Sequence, residues 1–323
     1  MRALFVDADN APFRSVELER PRPAPGQVLV RVRASGVNPL DIKIRRGKAP
    51  HARHPLPAVL GLDLAGIVES IGDGVSTLTP GDEVYGLTGG VGGIQGSLAE
   101  FAAVDADLLA RKPVSLSMRE AAALPLVFIT AWEGLVDRAV VSTGHRVLVH
   151  GAGGVGGMVI QLARARGAHV WAVDSPAKHA FITQLGAHPI DRDVPVVDYV
   201  AMHTAGIGFD IVYDTAGGSA LDASFHAVRR GGHVVSALGW GNHALGPLSF
   251  RAATYSGVFT LLPLLTGEGR THHGDIMQQA TKLVDAGLLA PHLDPRHFSF
   301  DTIEDAHAAI ENRTAAGKIV VEI

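Results

Sequence analysis

The stretch Gly151-Ala152-Gly153-Gly154-Val155-Gly156 constrains the fold of this chain more than any other. It lies between an apolar run, Val147-Leu148-Val149, that reads as a strand, and residues 155–166, which read as a helix. The glycines at 151, 153 and 156 fit the spacing Gly-x-Gly-x-x-Gly. In that pattern the first glycine allows a tight turn, the second lets the backbone approach a pyrophosphate, and the third lets helix and strand pack closely. A pyrophosphate is then expected over the start of the helix, at Gly154 and Val155, where unpaired N–H groups and the helix dipole favour negative charge. Spacing alone is a weak signal, because glycines gather wherever a strand meets a helix. The context strengthens it. Residues 169–174 read as the next strand, and Asp174 ends that strand where a carboxylate can hold the hydroxyls of an adenosine ribose. Strand, glycines, helix, strand and acid together predict a dinucleotide-binding domain.

The surrounding sequence agrees. A helix is expected at 177–185, strands at 209–214, 233–237 and 256–259, and a helix at 219–228. Strands alternating with helices predict a parallel sheet covered on both faces. The first part, 1–118, has a different texture. Strands are expected at 28–32, 66–71 and 83–85, with turn signals at Pro25-Gly26, Gly72-Asp73-Gly74 and Pro80-Gly81-Asp82. Closely spaced strands and turns suggest a partly closed antiparallel barrel. One short helix is expected at 41–46, and another starts at 119, capped by Ser117 with Glu120 as its reciprocal partner. In the tail, helices are expected at 274–286 and 303–312 and a strand at 318–323. Periodicity does not say which domain that strand joins.

A length of 323 residues suits about two domains. The formal net charge is -4 and no basic run follows a phosphate backbone, which argues against nucleic-acid binding. There is no cysteine, so disulfides, thiolate metal sites and thiol nucleophiles are excluded. No apolar run approaches the roughly 18 residues needed to cross a bilayer. Polar Asp7, Asp9 and Asn10 interrupt the start too soon for a secretory signal. These features lead us to expect a soluble cytoplasmic protein acting on a small molecule.

Several further motifs occur in a telling order. They are Val37-Asn38-Pro39-Leu40-Asp41, Gly61-Leu62-Asp63-Leu64-Ala65-Gly66, Gly81-Asp82-Glu83-Val84, Gly96-Ser97-Leu98-Ala99-Glu100, Glu120-Ala121-Ala122-Ala123-Leu124-Pro125, Thr130-Ala131-Trp132 and Gly317-Lys318-Ile319-Val320. With the glycine loop, they make nearly the whole chain resemble the zinc-free quinone oxidoreductase branch of the medium-chain dehydrogenase/reductase superfamily. The resemblance implies an α/β protein in which a doubly wound parallel Rossmann sheet is inserted into a GroES-like β-barrel domain. The expected division is 1–122 plus 263–323 for the GroES-like catalytic domain and 123–262 for the dinucleotide domain, with the active site in the cleft between them. Zinc-dependent members place catalytic ligands at positions that here hold Asn38, Leu62 and Leu126. Leucine has no lone pair to offer a metal, so no metal site is expected. The histidine clusters, His272 with His273 and His51 with His54, are expected in surface or polar-packing roles.

A site lacking a Lewis acid favours a conjugated acceptor, a quinone or an α,β-unsaturated carbonyl, over a simple alcohol–ketone couple. The expected cofactor is NAD(P)H, with a lean to NADH from Asp174. Ser175 and Lys178 pull toward a 2′-phosphate. Asn38 is expected to donate to the substrate oxygen, its alternative being a turn residue before Pro39. Asp41 is read as an acid at the helix start that fixes the loop. Lys43 stands where many relatives have tyrosine and leaves the substrate class open. Thr130 is expected on the nicotinamide side of the cofactor, with a helix hydroxyl bonded back to a carbonyl as the alternative. Leu238 and Gly239 are expected to meet the nicotinamide amide through their backbone, and Trp240 and Phe259 to line the pocket or pack in the core. Arg313 and Lys318 are weighed as phosphate contacts against plain surface charge. Two other functions stay open: a reductase of ketones or acyl thioesters, and a non-catalytic NAD(P)-binding structural or sensor protein. The resemblance also implies a homodimer through the edge strands of two cofactor domains, here at 256–259.

Overall fold

The computed structural model describes residues Met1–Ile323. The chain divides into two compact units, Met1–Leu126 with Leu261–Ile323, and Val127–Thr260. These bounds differ from the expected 122/123 and 262/263.

The second unit is built on a six-stranded parallel sheet. Its spatial order is His188–Asp191, His169–Asp174, Arg146–His150, Phe209–Asp214, Val228–Ser236 and Thr254–Gly257. Val147, Leu148 and Val149 are all fully buried, so both faces of the central strand are covered. The helix Gly154–Ala165 packs on that strand and its neighbour, and the helix Ser219–Ala227 on the strands Phe209–Asp214 and Val228–Ser236. Chain order runs outward from Arg146–His150 and then crosses to Phe209–Asp214 on its other side. The switch point therefore lies between these two strands, and in such sheets ligands gather beyond the carboxyl ends there.

The strands 169–174 and 209–214 form with the bounds that the sequence suggested, while other elements differ. The strand expected at 256–259 forms at Thr254–Gly257. The strand expected at 233–237 begins at Val228, and its register with Phe209–Asp214 shifts between Phe209 and Ile211. The edge strand His188–Asp191 and the helix Val196–Thr204 escaped the sequence reading. The strand carries a proline and an aspartate in four residues, a composition that local preference assigns to turns.

The first unit centres on a seven-stranded sheet. The long strand Gln27–Val37 pairs antiparallel with Asp63–Ile71, Phe101–Asp105 and Ile319–Glu322. Val28, Val30 and Val32 point into one core with Leu64, Val68 and Val84. The C-terminal strand thus belongs here, which periodicity left open. The sheet is not wholly antiparallel, because Phe298–Ser299 runs parallel to Ile319–Glu322. A separate three-stranded sheet joins Phe13–Glu17, Arg2–Val6 and Ala58–Val59. The short helix Pro39–Arg45 follows the long strand directly. Ser117 and Glu120 form the expected capping box of the helix Met118–Ala121.

Candidate active site

In the second unit, the carboxyl ends of the central strands gather a set of tight turns. Gly151 has φ +88°, a conformation that L side chains rarely adopt. A Cβ on Gly156 would stand 1.8 Å from the Gly151 carbonyl oxygen, so the helix can approach the turn only without a side chain there. Gly153 is the opposite case: it is exposed, it caps the helix Gly154–Ala165, and a Cβ on it would meet nothing within 4 Å. The protein leaves that space open in front of the first helical residues, Gly154 and Val155. Helix-start N–H groups facing open space are suited to a phosphate.

Asp174 sits beside this loop at the end of its strand, half-buried. One carboxylate oxygen accepts the Ala152 N–H at 2.7 Å and the other the Ser175 N–H at 2.7 Å. Ser175 precedes the single turn Pro176–Lys178, and the Lys178 ammonium, half-buried, lies 5.7 Å from the centre of the Phe181 ring. On the other side of the switch point, Thr215 Oγ1 reaches the carbonyls of His150 at 2.8 Å and Gly151 at 3.0 Å. Asp214 is fully buried and accepts the N–H groups of Ala216 and Gly217 and the Ser236 hydroxyl. Ser236 in turn accepts the Leu238 N–H at 3.1 Å. One carboxylate thereby shapes two adjacent strand ends, including the Leu238-Gly239 turn. Gly239 is exposed, and a Cβ there would meet the Tyr255 hydroxyl. Trp240 is exposed and stands edge-on to half-buried Phe259, with ring centres 6.4 Å apart.

Thr130 lies in the helix Pro125–Trp132, almost buried. Val127, one turn earlier, lies against the glycine loop, 3.2 Å from where a Cβ on Gly154 would be. The Thr130 carbonyl accepts the Tyr213 hydroxyl at 2.6 Å. Its own hydroxyl contacts that of Thr260 at 3.1 Å, and Thr260 donates to Glu133 at 2.9 Å. Glu133 opens a π-helical turn, Glu133–Arg138. Thr260, Glu133 and Tyr213 carried no signal in the sequence, since their partners lie far along the chain.

In the first unit the Asn38 side chain lies within a buried polar cluster. Its amide is fully buried and engaged at both ends. Nδ2 donates to Asp63 at 2.9 Å and to the Gly36 carbonyl, and Oδ1 accepts from the Lys318 ammonium. The donor expected to face a substrate oxygen is satisfied within the unit. Lys318 also pairs with Asp63 at 3.0 Å, with side-chain exposures of 9% and 0%, so it is not a surface charge. Asp63 accepts the Leu126 N–H at 2.8 Å as well. Asp41 accepts the N–H groups of Asn38 and Gly61, which ties the short helix to the Gly61 turn. Burial pushes its carboxyl up to about 7, helped by the Asp63 charge and opposed by the two N–H donors and by Lys318. Lys43 lies on the exposed side of the same helix, and Arg313 is exposed in the left-handed region. Leu62 is fully buried. No three His, Asp or Glu side chains converge as a metal site.

Known proteins agree with this architecture. Residues 24–114 match the family described as the alcohol dehydrogenase GroES-like domain, and residues 185–321 match the zinc-binding dehydrogenase family. The chain is 37% identical to a 2-methylene-furan-3-one reductase of Solanum lycopersicum, over 91% of this chain and 71% of that protein. It is 36% identical to a chloroplastic NADPH-dependent alkenal/one oxidoreductase of Arabidopsis thaliana, over 91% of this chain and 72% of that one. A solved alcohol dehydrogenase superfamily protein from Novosphingobium aromaticivorans superposes with a TM-score of 0.99 at 57% identity, over 100% of this chain and 99% of that chain. Fold, motifs and relatives agree, and the chain belongs to the medium-chain dehydrogenase/reductase superfamily.

Proposed function

We propose that this protein is a zinc-independent, NAD(P)H-dependent reductase that delivers hydride to an α,β-unsaturated carbonyl or a quinone. The observation that carries the reading is the glycine turn, closed at Gly156 and open at Gly153. The printed names of two relatives, reductases of a methylene-furanone and of alkenals and enones, support the acceptor class. Bound NAD(P)H supplies the hydride, and the chain's share is to hold, orient and desolvate the reacting pair. Gly151, Gly153, Gly154, Val155 and Gly156 take the pyrophosphate. Thr130, Leu238, Gly239 and Phe259 serve the nicotinamide end, and Lys43 the substrate region. Asn38 acts as a positioning residue through Asp63 and Lys318. We place the protein in the cytoplasm, as a homodimer joined through the edge strand Thr254–Gly257.

Within this reading, Asp174 favours NADH. Two backbone N–H groups hold its carboxylate in place, so it cannot swing away from a 2′-phosphate without losing both charge-assisted bonds. Ser175 and Lys178 supply the opposing pull, as does the NADPH dependence in the name of one relative. The test is kcat/KM for NADH and NADPH with a panel of enones and quinones, with and without a chelator, in the wild type and Asp174→Ala. Turnover unaffected by chelation is expected, with NADH ahead and the variant shifted toward NADPH. Tight dinucleotide binding without turnover of any acceptor points instead to a sensor or structural protein. A strong NADPH preference unchanged in Asp174→Ala removes the carboxylate from cofactor choice.

A further inference from the structure

At the amino end of the parallel sheet, opposite the glycine loop, the second unit holds a cleft of about 330 Å³. That volume falls in the range of small-ligand pockets. The loop 205–208, the end of the helix Ser219–Ala227, the start of the strand Val228–Ser236 and the turn 250–251 surround it. Its lining is of two kinds. Buried Val228 and half-buried Val200 are joined by Ile207 and Phe250, which are 59% and 87% exposed. A phenyl ring left this open to water gains free energy when an apolar group covers it. The second kind is charge. Arg230 and Arg251 line the cleft, and no aspartate or glutamate does. The nearby Asp210 carboxylate is taken by Arg229 at 2.6 Å and Arg146 at 3.6 Å. Arg251 gives Nη1 to the Pro247 carbonyl and Nη2 to the His226 carbonyl, each at 3.1 Å. Those acceptors are neutral, so the Arg251 charge stays uncompensated, and a guanidinium has further N–H donors to give.

We propose that this cleft binds a small organic anion with an apolar body, a carboxylate carried on an alkyl chain or an aromatic ring. The planar forks of Arg230 and Arg251 match the carboxylate, and Val200, Ile207 and Phe250 match the body. Each half of the lining selects against a simpler ligand. A bare inorganic anion leaves Ile207 and Phe250 in water, and a neutral hydrocarbon leaves both arginines without a counter-charge. The wall that carries Ile207 is held in place by its glycines. Gly208 has φ +94°, and a Cβ there would stand 2.7 Å from the Arg229 nitrogen, so the loop closes on the strand start only without a side chain. The cleft and the glycine loop lie at opposite ends of the same sheet, so this site is distinct from the one proposed for the dinucleotide and does not rest on that reading.

Octanoate is the probe, with octanol and inorganic phosphate as its two halves. Each is titrated against the full-length protein by ligand-observed NMR at constant ionic strength. Octanoate is expected to saturate a single site and to bind about three- to tenfold more tightly than either comparison ligand, the scale of one charge-assisted hydrogen bond open to solvent. Arg230→Gln is expected to lower octanoate to the level of octanol, and Phe250→Ser to lower it to the level of phosphate. Both side chains are exposed, so neither change disturbs the core. Saturating NADH or NADPH is expected to leave octanoate affinity unchanged. Octanol bound as tightly as octanoate overturns the inference, and so does phosphate bound as tightly, which would mark an adventitious ion only. These wild-type comparisons decide the matter whether or not a variant folds. Displacement of octanoate by a dinucleotide, or an unchanged preference in either folded variant, overturns it as well.

Discussion

Two glycines three positions apart do different work, and that difference makes a residue-scale prediction possible. Gly156 is a packing requirement, since any side chain there meets the Gly151 carbonyl. Gly153 is a ligand requirement, since a side chain there meets nothing in the protein. Gly153→Val is therefore expected to fold and melt close to wild type while losing dinucleotide binding, read by calorimetric titration against both NADH and NADPH. Unchanged affinity for both would sink the pyrophosphate assignment. Lys318 makes a second case. Removing one partner of a buried ion pair typically costs about 3–5 kcal/mol, mostly from the charge left behind. Lys318→Met is expected to destabilise by roughly that amount in urea unfolding, and adding Asp63→Asn to recover part of it. A cost below about 1 kcal/mol, the range of exposed pairs, would mean that the two groups are not coupled in solution.

At the scale of elements, the strand Thr254–Gly257 is hydrogen-bonded on one side only and ends the parallel sheet. Exposed edges pair with further strands unless a charge, a bulge or a proline blocks them. This one has none of those, and Tyr255 stands partly exposed on it. The proposed dimer follows, with a mass of two chains expected by light scattering. Val258 donates inward to Ser236, so by alternation the Tyr255 N–H faces the free edge, and Tyr255→Pro removes that donor and is expected to shift the mass toward one chain. A single-chain mass for the wild type over a wide concentration range counts against the dimer. The element scale also shows where local sequence sufficed. Long runs with a clear period, such as the helix Gly154–Ala165 and the strand His169–Asp174, were legible. Short edge elements such as His188–Asp191 were not, because pairing with a neighbour, and not intrinsic preference, makes them strands.

For the whole molecule, each unit buries a neutral histidine, His150 in one and His307 in the other, and burial pushes both down to about 4. The unfolded chain binds their protons first as pH falls, since its histidines titrate near 6.5. Stability from these groups is therefore complete above about 6.5 and lost as pH falls toward about 4, at roughly 1.4 kcal/mol per pH unit for each. Asp41 has the opposite sign: its raised carboxyl adds stability at low pH that is lost as pH rises through about 7. Both ring nitrogens of His307 lack hydrogen-bond partners, so His307→Leu sacrifices no bond. It is expected to flatten the acid limb of the stability profile between pH 6.5 and 4 in thermal melts. A variant with the same acid limb as wild type would show that His307 takes up its proton in the folded state.

The sequence by itself determined the features that are local in the chain. The glycine turn, the acid at the end of the next strand, the capping box at Ser117 and the alternation of strands with helices each depend on residues within a few positions of one another. Backbone sterics and helix-end chemistry act over that range. Only the tertiary structure decided which polar groups meet. Asn38 finds Asp63 across 25 positions and Lys318 across 280, and Thr130 finds Thr260 across 130. A buried donor or acceptor must be paired, but many partners along a chain satisfy that rule equally well. Spatial proximity selects one of them, and it made Asn38 part of a buried polar cluster and joined Glu133 to Thr260, pairings that no spacing in the sequence announces.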